Sequence, residues 1–249
     1  MTPQKDFVYP DFTTIAVILV EPQTPGNIGS VARAMKNFGM TDLRLVRPCD
    51  HLDREALWMA VKAEDILQSA KTYPTLAEAL AGIQFSVATS NRRRETHFPS
   101  FTPREIAQQI AAFSPVTTCA LVFGGEKNGL STEDVHTCRV LSTITTAPVQ
   151  NSLNLSHAVM IYLYEVFTAR LTGNPQFVWD MAKPEDMDIL YERIQRVLEA
   201  VKFKPRKTNE DFLLGVRRIL GRTPMEDRDV RLMHKIFQEI ERYITRLED

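Results

Sequence analysis

Three short stretches of this 249-residue chain carry residue types and spacings from which chemistry could be built. Residues 121–131 read LVFGGEKNGLS, an apolar run that breaks into a glycine turn and offers Ser131 where a helix could begin. Gly124, Gly129 and Ser131 keep the spacing of a phosphate-binding loop, but the position of its lysine is Leu130. Without the charge that reaches the terminal phosphates, a nucleoside triphosphate is not the expected ligand. Residues 25–30, PGNIGS, follow another apolar run and resemble a dinucleotide turn without completing its glycine pattern. Residues 148–156, PVQNSLNLS, set Asn151, Ser152, Asn154 and Ser156 just ahead of a long apolar stretch. Capping a helix needs only one such residue. Each loop taken singly reads equally well as a turn. The two glycine loops share a place after a strand and before a helix, where backbone N–H groups are open to a ligand.

The elements that must hold these loops are legible as periodicity. IAVILV (15–20), LRLV (43–46), FSVAT (85–89), CALVFG (119–124) and VLSTITT (140–146) have strand length and composition, and helix-like segments fill 28–38, 53–69, 75–81, 103–113 and 131–137. Strands alternating with helices predict an α/β fold, a parallel sheet with helices on both faces. LNLSHAVMIYLYEVFTARL (153–171) is apolar around most of its circumference and stops at Gly173 and Pro175, which predicts a buried helix. Beyond a polar linker, 186–202, 209–220 and 225–247 show helical periodicity with no strand between them. The expected organisation is a domain over 1–172, a linker over 173–185 and a small all-helical C-terminal extension over 186–249.

Composition narrows the function classes. With 44% hydrophobic and 24% charged residues the chain has material for a real core. No apolar stretch approaches the roughly 18 residues that cross a bilayer, and no hydrophobic segment follows a basic start, so a cytoplasmic protein without a membrane partner is expected. Cys49, Cys119 and Cys138 are odd in number and widely spaced, which suggests reduced core thiols and neither a disulfide framework nor a metal site. The 30 basic and 31 acidic side chains nearly cancel, so nucleic acid would have to be held by local patches. Two are present: Arg92, Arg93 and Arg94 after the third strand run, and Lys202, Lys204, Arg206 and Lys207, with Arg217 and Arg218 further on.

PGNIGSVARAMKNFGM (25–40), LVFGGEKNGLS (121–131) and NSLNLSHAVMIYLYE (151–165), in that order and spacing, resemble the three motifs of the SpoU/TrmH branch of the SPOUT RNA 2′-O-methyltransferases. The resemblance covers roughly residues 14–170. Within that branch, VEPQTPGNIGSVARAMKNFG, TSNRRRETHFP and the helical extension are most similar to the bacterial tRNA (cytidine/uridine-32-2′-O)-methyltransferases of the anticodon loop.

The resemblance implies a C-terminal deep trefoil knot, a topology no composition reveals, that encloses S-adenosylmethionine in a bent shape. Its cavity would be lined by Thr89, Ser90, Asn91, Gly124, Ile144, Asn151, Ser152 and Leu153. A loop that holds a sulfonium has reason to lack the lysine, since like charges repel. Arg33 matches the family's arginine at the ribose hydroxyl. A guanidinium with a pKa above about 12 is an awkward base, so the physically safer role is to grip the adjacent phosphate and orient the hydroxyl. Without the motif, an exposed helix arginine paired with Glu21 or another acid would be the favoured reading. The resemblance further implies that Asn27 fixes the first loop and that Ser152 and Asn154 bind the target ribose or the methionine end of the cofactor. Glu126 would order the knot loop or a ribose, or only form a salt bridge. For tRNA it implies contacts by Arg92 and Arg94, extended by Lys204, Arg206 and Lys207. It also implies S-adenosylhomocysteine as product, no metal, and a homodimer in which Arg33 serves the partner's pocket. Two departures stand out: Gly125, where relatives often carry a basic residue, and His157, read as a first-turn polar residue. They leave the reaction class intact and the choice of cytidine or uridine open. The alternatives are ribosomal RNA 2′-O-methylation by the same fold, whose enzymes usually carry an added N-terminal RNA-binding domain, and an RNA-binding relative that has lost transfer.

Overall fold

The computed structural model describes residues 10–91, 100–149, 152–172, 180–205, 208–221 and 224–248. Its contacts divide into two compact units, 1–81 with 85–178, and 82–84 with 179–249.

The first unit is built on a seven-stranded sheet in which every pair is parallel. In chain order the elements are β1 (Ile15–Val20), α1 (Pro25–Asn37), β2 (Asp42–Val46), α2 (Arg54–Met59), α3 (Glu64–Ser69), β3 (Lys71–Tyr73), α4 (Leu76–Ala79), β4 (Phe85–Thr89), β5 (Ser100–Phe101), α5 (Pro103–Ala112), β6 (Cys119–Gly124), α6 (Thr132–Thr137), β7 (Val140–Ser142) and α7 (Leu155–Thr172). The strand order is β3-β2-β1-β6-β4-β7-β5. All six residues of β1 are buried, so both faces of this strand are covered, as a continuous apolar run requires. Around it α1 packs against α2, α3 and α7, α7 packs against α5, and α4 packs against α6.

Most strand and helix runs fall where periodicity puts them. Residues 53–69, expected as one helix, divide into α2 and α3 because Lys62 takes a left-handed φ of 63° between them. The run 140–146 stops as a strand at Ser142, and the next amide, Thr143 N, donates to Phe101 O. β3 and β5 were not anticipated: three and two residues on the sheet edges are too short to show a period. Cys119 and Cys138 are core thiols, and burial pushes Cys119 up to about 12, but Cys49 is only half-buried.

The second unit holds α8 (Pro184–Ala200), α9 (Asn209–Gly221) and α10 (Asp227–Glu248). Ala182, Met187, Leu190, Ile194 and Val230 form its core, with Tyr191, Val216 and Phe237 packed against it. Residues 173–179 of the expected linker lie outside the described residues, while Met181 bridges to Glu226 and Pro184 already opens α8.

Candidate active site

In an open parallel sheet, ligands bind beyond the carboxyl ends of the strands, where successive connections leave in opposite directions. Here that point lies between β1 and β6: the chain leaves β1 toward β2 on one side and β6 toward β7 on the other. Their last residues, Val20 and Gly124, are register partners. Both glycine loops therefore start side by side at the switch point.

The loop after β6 reaches the loop after β1 through Glu126. Its carboxylate accepts from the backbone N–H of Gln23 at 2.9 Å and of Thr24 at 3.2 Å, and from Asn27 Nδ2 at 2.7 Å. Burial acts to raise the Glu126 pKa, but hydrogen bonds from Asn27, Gln23, its own N–H and Thr24 outweigh it and hold the carboxyl below its ordinary value. All three donors to the carboxylate from the first loop are neutral, and among the described residues Glu126 forms no salt bridge. The other end of the Asn27 amide is also held, because Asn154 Nδ2 donates to Asn27 Oδ1 at 2.9 Å. Asn154 Oδ1 in turn accepts from Ser156 N at 2.9 Å, Ser156 Oγ at 2.7 Å and, more weakly, His157 N at 3.4 Å. Asn154 thus caps α7, and His157 is a first-turn residue whose backbone shares that cap. One chain of hydrogen bonds, Glu126 to Asn27 to Asn154, joins all three loops.

The glycines of the second loop are required by close packing. A Cβ on Gly124 would lie 2.1 Å from Leu130 N, where the loop folds back on itself, and one on Gly125 would lie 2.1 Å from Glu21 O. No basic side chain fits at Gly125 without moving backbone. The turn closes through Gly129 N donating to Gly125 O at 2.9 Å, with Gly129 at a left-handed φ of 61°. Ser131, the would-be magnesium ligand of a phosphate loop, is instead in a reciprocal cap with Asp134 at the start of α6.

Of the remaining residues expected to line the cofactor cavity, Thr89, Ser90 and Ile144 lie at or just past the ends of the adjacent strands β4 and β7. Thr89, half-buried, donates from Oγ1 to Val122 O at 3.0 Å, and Ser90 N donates to Ser142 O at 3.0 Å. Ile144 is half-buried just past β7, while Asn91, Ser152 and Leu153 are exposed. Asn151 lies outside the described residues, as do Arg92, Arg93, Arg94, Arg206 and Lys207. Arg33 is exposed on α1 and among the described residues makes no hydrogen bond or ion pair. Glu21 pairs instead with Arg47 at 2.8 Å, so the Arg33–Glu21 pairing is not formed. In the second unit Lys202 and Lys204 are exposed, whereas Arg217 lies over the Tyr191 ring at 4.4 Å and contacts Asp188.

Two supports escaped the sequence. The amides of Gln23 and Thr24 leave no side-chain signal. The buried Tyr162 hydroxyl donates to Ser142 Oγ at 2.7 Å, and Ser142 donates to Phe101 O at 2.8 Å, which anchors the end of β7 to α7. A tyrosine inside an apolar helix must find such a partner, and that was the available clue.

Residues 14–164 match the SpoU rRNA Methylase family. The tRNA (cytidine/uridine-2′-O-)-methyltransferase TrmJ of Escherichia coli (strain K12) is 35% identical over 233 residues, 91% of this chain and 95% of the relative. The crystal structure of TrmJ from Z. mobilis ZM4 superposes with a TM-score of 0.72 at 32% identity, covering 91% of this chain and 98% of that one. The AdoMet-bound rRNA methyltransferase from Sinorhizobium meliloti superposes with a TM-score of 0.50 at 25% identity, covering 64% of this chain and 57% of that one.

Proposed function

The chain belongs to the SpoU rRNA methylase family, and on that premise we propose that it methylates a ribose 2′-oxygen of tRNA with S-adenosylmethionine, at cytidine or uridine 32 of the anticodon loop. The observation that carries tRNA over ribosomal RNA is the reach of the likeness. The family match ends at residue 164, whereas the tRNA methyltransferase likeness spans 91% of the chain and so includes the helical unit.

The residues fit the cofactor in kind. The strand ends offer backbone groups, the Thr89 and Ser90 hydroxyls and the apolar Ile144, a set suited to an adenosine, and Leu130, 1% exposed, replaces the phosphate-loop lysine. S-adenosylmethionine, when bound, supplies a methyl group on a positive sulfur. The segments after β4, β6 and β7 would hold it within the deep knot that the family resemblance implies, together with Asn151, Ser152 and Leu153. Glu126 then acts by fixing Asn27, and Asn154 fixes the same amide from the opposite side.

Transfer of that methyl group to the ribose oxygen would release the 2′-hydroxyl proton and leave S-adenosylhomocysteine as the product. Arg33 remains protonated and so grips the neighbouring phosphate, which orients the hydroxyl and can assist its deprotonation. The Arg33 guanidinium is exposed and has no partner among the described residues, which suits that task. Ser152 hydrogen-bonds the ribose or the methionine end. The protein works as a homodimer in which Arg33 serves the partner's cofactor, and exposed apolar residues on α7, Met160 and Tyr164, support that contact. Arg92, Arg94, Lys204, Arg206 and Lys207 hold phosphates, and the cytoplasm, where tRNA is found, is its place of work. Of the expected bounds we keep 1–172 for the first domain, while Pro184 opening α8 and Ala182 in the helical core start the second domain before residue 186.

The test is incubation with unmodified tRNA transcripts and S-adenosylmethionine, followed by nuclease digestion and mass spectrometry. A single ribose methylation at position 32 is expected. Methylation of ribosomal RNA in its place, or none, overturns the reading.

A further inference from the structure

The second unit carries an aromatic side chain set between cations at a rigid turn. α8 ends in a reciprocal pair of backbone bonds, Phe203 N to Leu198 O and Lys202 N to Glu199 O, both 2.9 Å. Lys202 sits at the left-handed position of this turn, φ 53°, a place glycine usually takes. The turn thereby fixes Phe203, which stays 43% exposed with its ring 4.8 Å from that of Phe212 and tilted by 54°. The two rings and Leu198 line a shallow, solvent-open groove. Lys202 and Lys204, on either side of Phe203, are exposed and make no ion pair among the described residues, while Glu199 at the groove edge accepts a hydrogen bond from Gln195 at 2.9 Å.

An exposed ring that folding leaves uncovered, held by a backbone motif and flanked by unpaired ammonium groups, matches a single-stranded nucleic acid better than an apolar protein partner. Unpaired bases stack on aromatic faces while cations track the adjoining phosphates. The sequence continues with Arg206 and Lys207, which adds positive charge at the same connection. We propose that Phe203, backed by Phe212, is a stacking platform for one unpaired nucleobase of the bound RNA, with Lys202 and Lys204 on the flanking phosphates. This rests on the RNA-methyltransferase reading above and adds a base-contacting subsite to it.

The full-length protein is titrated with a fluorescein-labelled ten-nucleotide oligouridylate, a probe that binds whether or not methyl transfer occurs. Phe203→Leu keeps the apolar contact of the turn and removes the stacking face, so its affinity should fall about tenfold, and Phe203→Trp should bind as tightly as wild type or better. Lys202→Gln with Lys204→Gln should flatten the salt dependence, which Phe203→Leu leaves unchanged. Wild-type affinity in Phe203→Leu overturns the proposal, even if tRNA methylation is intact. So does a fall that accompanies a change of oligomeric state in size-exclusion chromatography, because the ring would then be a protein contact. If the probe results hold and no RNA is methylated, the platform stands and the methyltransferase reading fails.

Discussion

Asn154 donates from Nδ2 to Oδ1 of Asn27 at 2.9 Å across 127 positions of sequence, while its own Oδ1 caps α7. Because Asn27 also donates to Glu126, its amide is held at both ends and cannot flip. The arrangement makes the start of α7 and the start of α1 a single rigid edge of the candidate site.

Asn154→Ala removes the cap and the brace together. Loss of the cap costs about 1 kcal/mol, which lowers the melting midpoint by roughly 2–4 °C in a unit of this size. Methyl transfer should fall further than stability does. Asn154→Asp keeps the capping oxygen but cannot donate to Asn27, so it should melt near wild type and still transfer slowly. Differential scanning calorimetry beside a transfer assay separates the two effects: equal melting losses in both variants would reject the cap, and wild-type transfer by Asn154→Asp would reject the brace.

The Glu126 carboxyl is held below its ordinary pKa in the folded state. The sign follows: between the folded and unfolded pKa values the unfolded chain binds the extra proton, so stability rises with pH there. The stabilisation is fully present above the unfolded value and is lost as pH falls through the lower folded one. Glu126→Gln should therefore lose most relative to wild type at pH 7, with the gap narrowing below about pH 4.5. Chemical denaturation at several pH values measures it, and a gap that widens in acid would contradict the hydrogen-bonding account.

Among the described residues Arg33 has no hydrogen-bond or ion-pair partner to lose. Arg33→Ala should leave the melting midpoint within about 1 °C, since exposed unpaired sites change stability by under roughly 0.5 kcal/mol. S-adenosylmethionine affinity by calorimetry should be largely unchanged and transfer should drop by about 100-fold or more. A variant that lost cofactor binding instead would have a different job at this position.

Gly125→Ala places a methyl 2.1 Å from Glu21 O, a backbone atom that cannot swing away. Overpacking of this kind costs about 1–3 kcal/mol. The melting midpoint should fall by several degrees, whereas Lys127→Ala, on an exposed part of the same loop, should scarcely move it.

The central strands were legible because β1, β4 and β6 are apolar runs of five or six residues, and burial on both faces leaves them little polar alternation to confuse the reading. The break between α2 and α3 was not, since Lys62 is an ordinary polar residue whose left-handed backbone is imposed by its surroundings. Glu21, one of the acids the sequence left open as an alternative partner for Arg33, pairs with Arg47, which follows β2.

By itself the sequence determined the residue types available for chemistry: neutral loops without the phosphate-loop lysine, an arginine on the first helix, and an asparagine-serine stretch before an apolar one. It also determined the alternation of strands and helices, because side-chain periodicity is a local property of the chain. Only the tertiary structure decided that Glu126 is bound to Asn27 and Asn27 to Asn154. Hydrogen bonds between residues about 100 or more positions apart leave no trace in local pattern, and they form here because parallel register sets the ends of β1 and β6 side by side.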